Sequence, residues 1–305
     1  MGAAPRVTVY WFSQTGQLLE SVSAVTDPLE KAGWDIRKVE ITPRMPYPFP
    51  WPVRRFFGVF PASVDPAAAP EITARPPVPV DDDADLIVFA FPVWYLAPAL
   101  PMRALVGAEP RAFAGRPVVG LVACRNMWYS AALEVRRLLE AAGGHYLGTI
   151  AAVDTASAGI TFVTTLRWLL AGKREASWGF PRAGVPDPEL DRLADLGELL
   201  AETDASAEQV RTVLAAQDAA PVNPPLAAAD LLAGRAFRFW GRGIRRRGPA
   251  QRKALMGVFV LWLSGAIFAG LPVVVITRLL FRSGFDAAVA RRLTSVVARL
   301  AEVPE

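Results

Sequence analysis

The sequence predicts an α/β fold: a doubly wound parallel sheet of five strands in the order 2-1-3-4-5, followed by a helical C-terminal extension. Three observations predict it. Five segments with little polar interruption alternate with helical patterns over roughly the first 150 residues. Strands apolar along their whole length belong in a parallel sheet covered on both faces. The first segment, Val7 to Phe12, runs into the short turn Ser13-Gln14-Thr15-Gly16-Gln17 and then a helical pattern. With right-handed crossovers, 2-1-3-4-5 is the economical order for such a chain.

The elements follow from local pattern. Leu18, Leu19, Val22, Val25 and Leu29 recur at helical spacing, and Gly33 suits a helix stop. Asp35 to Ile41 alternates and reads as the second strand. Residues 42–80 are rich in Pro and Ala, include Pro46 to Pro52 and Phe56-Phe57, and carry no clear element. A stretch this long is either a functional lid or an insertion that packs its aromatics on the core. Asp81-Asp82-Asp83 precedes a strand, at the edge opposite the strand ends, and reads as a solvated strand entry rather than a metal site. Asp85 to Phe91 is the third strand, followed by the loop Pro92-Val93-Trp94-Tyr95 and a helix near 98–106. Val118 to Ala123 is the fourth, with Cys124-Arg125-Asn126-Met127-Trp128 behind it. Ser130 to Ala142 is helical, Gly143-Gly144 ends it, and His145 to Val153 is the fifth strand. Beyond it, residues 160–170, 188–202 and 206–216 read as helices, and Ala219 to Pro225 as a linker.

Composition narrows the chemistry. A chain of 305 residues with 52% hydrophobic residues buries a good-sized core and still carries an appendage. One cysteine, Cys124, rules out an internal disulfide and a cysteine-based zinc site, and suits a reducing compartment. A single histidine, His145, removes His-cluster metal sites and argues against a catalytic triad. No metal site is expected, and no signal peptide precedes the first strand.

The extension carries its own signal. Ala254 to Thr277 is a run of 24 residues without a charge. As one helix it extends about 36 Å, enough for a hydrocarbon core of about 30 Å. Before it stands a basic stretch, Arg235 to Lys253, with Phe237, Phe239 and Trp240, suited to an anionic lipid surface rather than to nucleic acid. The expectation is therefore a membrane-associated extension, either spanning or re-entrant, with the sheet domain on the cytoplasmic face. The expected divisions are 1–190 for the sheet domain with its insertion at 42–80, 191–253 for a helical and basic linker, 254–281 for the membrane segment, and 282–305 for an amphipathic helix.

In an open parallel sheet, ligands bind beyond the carboxyl ends of the strands, where the strand order reverses. The loops at that edge begin at Ser13, Pro92, Cys124 and Asp154. The first offers two hydroxyls, a glycine and the free N–H groups of a helix N-terminus, a setting for a phosphate dianion. It has neither the lysine of a Walker loop nor a G-x-G-x-x-G pattern.

Ser13-Gln14-Thr15-Gly16-Gln17, Phe91-Pro92-Val93-Trp94-Tyr95 and Cys124-Arg125-Asn126-Met127-Trp128 together resemble a flavodoxin-like family of dialkylresorcinol biosynthesis proteins, described as condensing enzymes or aromatases. Tyr47 to Trp51, Phe56 to Pro61, Leu166-Arg167-Trp168 and Gly172-Lys173 look like further signatures of it. The resemblance covers about 1–190 and the hydrophobic tail. Many flavodoxins carry a hydroxyl one position after the turn, where this chain has Leu18. The resemblance implies FMN as cofactor, with its phosphate on Ser13, Gln14, Thr15, Gly16 and Gln17. The flavin ring would lie against the Pro92-Val93 loop with Trp94 or Tyr95 stacked on it, and Cys124, Arg125 and Asn126 would border its other edge. Tyr95 and Asp154 are the expected proton handlers. The implied activity is FMN-dependent oxidation of a lipophilic ring, an alkylated cyclohexane-1,3-dione that becomes a dialkylresorcinol, with a ketosynthase as a pathway partner. An NAD(P)H–quinone reductase and a membrane-tethered electron carrier or binding module are the alternatives.

Overall fold

The computed structural model describes residues 4–79 and 83–298, so Asp81, Asp82 and the last residues of the predicted C-terminal helix lie outside the described residues. In chain order the elements are β1 (Arg6–Trp11), α1 (Gln17–Lys31), β2 (Asp35–Pro43), α2 (Val53–Ser63), β3 (Ile72–Arg75), β4 (Leu86–Trp94) and β5 (Ala97–Pro98). There follow α3 (Leu100–Ala108), β6 (Pro117–Cys124), α4 (Tyr129–Ala141), β7 (His145–Val153) and α5 (Ala158–Ala171). The remainder is helical: α6 (Asp187–Ala201), α7 (Ala207–Ala216), α8 (Pro224–Arg245), α9 (Pro249–Gly265), α10 (Leu271–Leu280) and α11 (Arg282–Leu293).

The sheet runs β3-β2-β1-β4-β6-β7. Its five long strands are parallel, and numbered among themselves they stand in the predicted order 2-1-3-4-5. Alternation along β1 explains the two layers. Val7 and Val9 point to the face covered by α1 and α6, where they meet Leu18, Val22, Leu193 and Leu196. Tyr10 and Phe12 point to the other face, toward Phe113, Leu139 and Leu293 from the helical layer there. Along β1, β4, β6 and β7 residues of both faces are buried, so these strands are largely apolar, whereas β2 alternates.

The insertion is more ordered than its composition suggested. It contributes α2 and then β3, which adds an antiparallel edge beside β2. The same segment covers β2's open side, an edge that unprotected would invite pairing with another chain.

The expected membrane segment is corrected. No helix among the described residues is long and apolar enough to cross a membrane, so a membrane anchor formed by 254–281 is not supported. The uncharged run is divided between α9, a π-helical turn at Ala266–Gly270 and α10. α9 begins with Gln251, Arg252 and Lys253 inside it. Its Phe259 is fully buried, stacked on Phe60 of α2 with ring centroids 3.9 Å apart. The chain then folds back: Arg278 of α10 makes a paired contact to the Asp286 carboxylate of α11 at 2.7 and 2.9 Å.

The helix α8 is fastened to the sheet domain. Asp230, fully buried, accepts the backbone N–H groups of Tyr129 and Ser130 at 3.1 and 2.9 Å. It thereby caps α4, whose own N-cap residue Trp128 supplies no side-chain bond. Burial pushes the Asp230 carboxyl up to about 7, against the pull of those bonds. Two glycines let α8 approach closely: a Cβ at Gly234 would lie 2.5 Å from Ser130 Oγ, and one at Gly241 2.2 Å from Val64. On α3, buried Arg103 binds Glu134 of α4 at 2.8 Å and the Ser63 carbonyl at the end of α2 at 2.8 Å. This cation sits where the α2 dipole is negative.

Candidate functional site

The parallel strands all end at one edge, and the loops that leave them there surround a cleft of about 210 Å³. β1 ends in Ser13-Gln14-Thr15-Gly16. Gly16 takes φ 85°, a left-handed conformation that glycine adopts without strain, and α1 starts directly after it with no side chain capping its N–H groups. The Ser13 and Thr15 hydroxyls have no hydrogen-bond partner among the described residues, and both residues line the cleft. Uncapped N–H donors, the positive end of a helix and two available hydroxyls make a cradle for an anion.

Of the predicted residues, Ser13, Gln14, Thr15, Gln17, Pro92, Val93, Trp94, Tyr95, Cys124 and Arg125 are brought together in the cleft wall. Gly16 contributes its backbone turn instead. Asn126 and Asp154 are not part of the wall. The Asn126 amide donates to the Thr161 hydroxyl at 3.4 Å. The Asp154 carboxylate accepts the N–H groups of Ala156 at 3.0 Å and Gly184 at 3.4 Å, so it holds the 184 loop in place. Burial raises its pKa, opposed by those two bonds and the Arg125 charge. Tyr95 sits at φ 52°, and its hydroxyl donates to the Phe56 carbonyl at 2.6 Å. Burial pushes the Tyr95 phenol well up, so it keeps its proton at neutral pH. The expected proton handlers are thus engaged in holding α2 and the 184 loop.

Cys124 is pushed up strongly by burial, with the Asp230 carboxylate adding to it, and is a thiol rather than a thiolate. Arg125 is the cation of the wall. Burial lowers its pKa, opposed by Cys124 and Asp154, and its charge lies 5.4 Å from the Phe162 ring centre.

Several wall residues were not singled out as site residues from sequence. Trp51, Phe56 and Val59 come from the insertion, Thr165, Trp168 and Leu169 from α5, and Gly184 from the loop after it. The spacing of Thr165, Trp168 and Leu169 is that of one helix face, a signal the sequence did hold. The insertion is closed over the turn by Gln14. Its amide donates to the Pro48 carbonyl at 2.9 Å and accepts the Trp51 indole N–H at 3.1 Å, while the Trp51 backbone N–H reaches the Leu169 carbonyl at 2.7 Å. Trp51 packs edge-on against Trp94 at 5.7 Å, with Tyr47 beside both. On the far side, Arg174 forks onto Glu20 of α1 with two bonds of 2.6 Å and lies over Trp168 at 4.8 Å. A Cβ at Gly184 would lie 2.7 Å from Gln17 Oε1. Only glycine fits between that amide and the Trp168 ring.

No family model matches the chain, and no curated protein matches it. Solved structures to which it is similar include a flavoprotein in complex with FMN from Lactobacillus acidophilus NCFM, 16% identical over 49% of this chain and 93% of that one, with a TM-score of 0.38. Another is described as a putative flavoprotein from Bacteroides eggerthii DSM 20697, 16% identical over 56% of this chain and 99% of that one, with a TM-score of 0.38. A flavodoxin from the domain Archaea is 14% identical over 65% of this chain and 96% of that one, with a TM-score of 0.32.

Proposed function

We propose that the cleft binds FMN and that the protein is an FMN-dependent oxidoreductase of a lipophilic ring. The observation that carries this reading is the turn Ser13–Gln17: an uncapped helix N-terminus, a left-handed glycine and two hydroxyls without partners among the described residues. These donors fit a phosphate dianion, and the apolar wall of Trp94, Val93, Pro92 and Trp51 beside them fits a planar ring. When bound, FMN supplies a hydride acceptor.

The substrate proposed is an alkylated cyclohexane-1,3-dione, converted to a dialkylresorcinol by loss of a proton and a hydride from adjacent carbons. This follows the sequence resemblance, and the cation in the wall, Arg125, supports it. The proton would leave C4, acidified by the neighbouring carbonyl, to water at the mouth of the cleft, and the hydride would leave the adjacent C5 for the bound FMN. Tyr95 and Cys124 both hold their protons and take no part in that transfer. Arg125 instead stabilises the enolate that forms and, by the same charge, negative charge accumulating on a reduced ring. Trp51 and Trp94 exclude water, and the Gln14 bonds hold Trp51 in place to do so.

The test is anaerobic mixing of the FMN-loaded protein with a 2,5-dialkylcyclohexane-1,3-dione while following the flavin band. Bleaching with formation of the resorcinol is expected, and Arg125→Gln should slow it about 10- to 100-fold with FMN still retained. Bleaching by NADPH but not by the dione, followed by reoxidation with a quinone, would contradict this reading and favour the reductase.

A further inference from the structure

The helix α2 has two working faces. Phe56 and Val59 look into the cleft, whereas Val53, Phe57 and Pro61 form one wall of a separate groove of about 1040 Å³. Met256, Val260 and Leu261 of α9 form the opposite wall. The two walls are held at a fixed spacing from behind, because Phe60 of α2 and Phe259 of α9 stack at 3.9 Å and Phe237 packs edge-on against both. Leu261 is 75% exposed and Val53 56%, so apolar surface lines an open channel.

Four cations border that channel, Arg54, Arg245, Arg252 and Lys253, and among the described residues no acidic side chain lines it. Arg245 is paired with Asp65 at 2.7 Å. Arg252 donates to the Arg245 and Arg247 carbonyls at 2.8 and 2.7 Å, which fixes its position, and it has no ion-pair partner among the described residues. Arg54 and Lys253 have no ion-pair partner among the described residues. The two walls also carry Gly58 and Gly257, each mid-helix with nothing within 4 Å of an added Cβ. A glycine there costs about 1 kcal/mol of helix stability relative to alanine, and alanine would fit. What the glycines provide is width.

We propose that this groove binds one molecule of a long-chain anionic amphiphile, a single-chain carboxylate whose tail lies between α2 and α9 and whose head meets Arg252 and Lys253. The apolar walls take the chain, and the cations select the charge. The site is distinct from the cleft and stands whether or not the cleft binds a flavin.

Equilibrium dialysis of the delipidated full-length protein against radiolabelled dodecanoate, below its micellar concentration, tests this directly. Saturable one-to-one binding is expected, with no comparable binding of dodecyltrimethylammonium. Gly257→Trp and Gly58→Trp each fill the groove and should weaken binding at least tenfold, as should Arg252→Glu combined with Lys253→Glu. Unfolding curves identify which variants are folded, and the two tryptophan variants lie on different helices, so one serves if the other fails. No saturable binding by the wild type overturns the proposal. So does undiminished binding by a folded tryptophan variant, equal binding of the cationic amphiphile, or adsorption to anionic vesicles without any binding of monomeric dodecanoate.

Discussion

A few residues hold the frame of this cleft from outside it, and they are the ones where substitution speaks most clearly. Asp230 caps α4 from a helix 100 positions away in sequence. Asp230→Ala leaves two N–H groups unsatisfied in a buried place and should cost about 1–3 kcal/mol in urea unfolding. Its titration also has a sign. The folded carboxyl holds its proton up to about pH 7, whereas the unfolded one releases it near pH 4. Between those values the folded state binds more protons, so this group's contribution to stability falls as pH rises from about 4 to about 7 and levels off above. Asp230→Asn should flatten that slope, measured as the urea midpoint at pH 5 and pH 8. Arg103→Met strands the Glu134 charge and three carbonyls of the α2 terminus, and should destabilise by about 3–5 kcal/mol. None of these partnerships was legible in the sequence, because each joins residues whose spacing carries no pattern. The turn at 13–17 was legible because its parts are contiguous. The assignment of proton handling to Asp154 rested on its strand-end position and that to Tyr95 on its loop at the same edge, and position does not tell where a hydroxyl or carboxylate is already bonded.

At the scale of elements, apolar strands declare themselves and the insertion and tail do not. Four buried strands need nothing but composition to be seen, and β2 shows itself by alternation. α2 lacks a capping side chain, follows Pro52 and contains Pro61, so its start and stop signals are missing. β3 has four residues on a half-exposed edge, too short for alternation to register. The tail deceived for a physical reason: hydropathy counts the apolar residues of 254–277 but cannot tell that Phe259 is spent on Phe60 and Phe237. It also misses that Ala266–Gly270 breaks the helical repeat. The α8 packing makes a matching prediction. Gly241→Val drives a side chain into Val64 at a place where the backbone of Pro61 also stands within 3.2 Å of a Cβ. It should cost about 1–3 kcal/mol and lower the melting temperature, while Gly243→Ala, in open space two residues on, should not destabilise.

Taken as a whole, the molecule is a parallel sheet whose carboxyl edge is roofed by the insertion and α5, with a helical layer bolted to α4 and α2 behind it. That arrangement gives the cleft an uncapped helix N-terminus with two hydroxyls at one end and an aromatic, mostly apolar wall at the other. The central claim is that the cradle holds the phosphate of FMN, and the most direct measurement is the absorption spectrum of the purified protein after FMN is added and the sample desalted. The account predicts a retained flavin band, weakened about tenfold or more in apparent affinity when Ser13→Ala and Thr15→Ala are combined, as the loss of charge-assisted hydrogen bonds implies. FMN that washes through the wild-type protein, or a band indifferent to both substitutions, would contradict it.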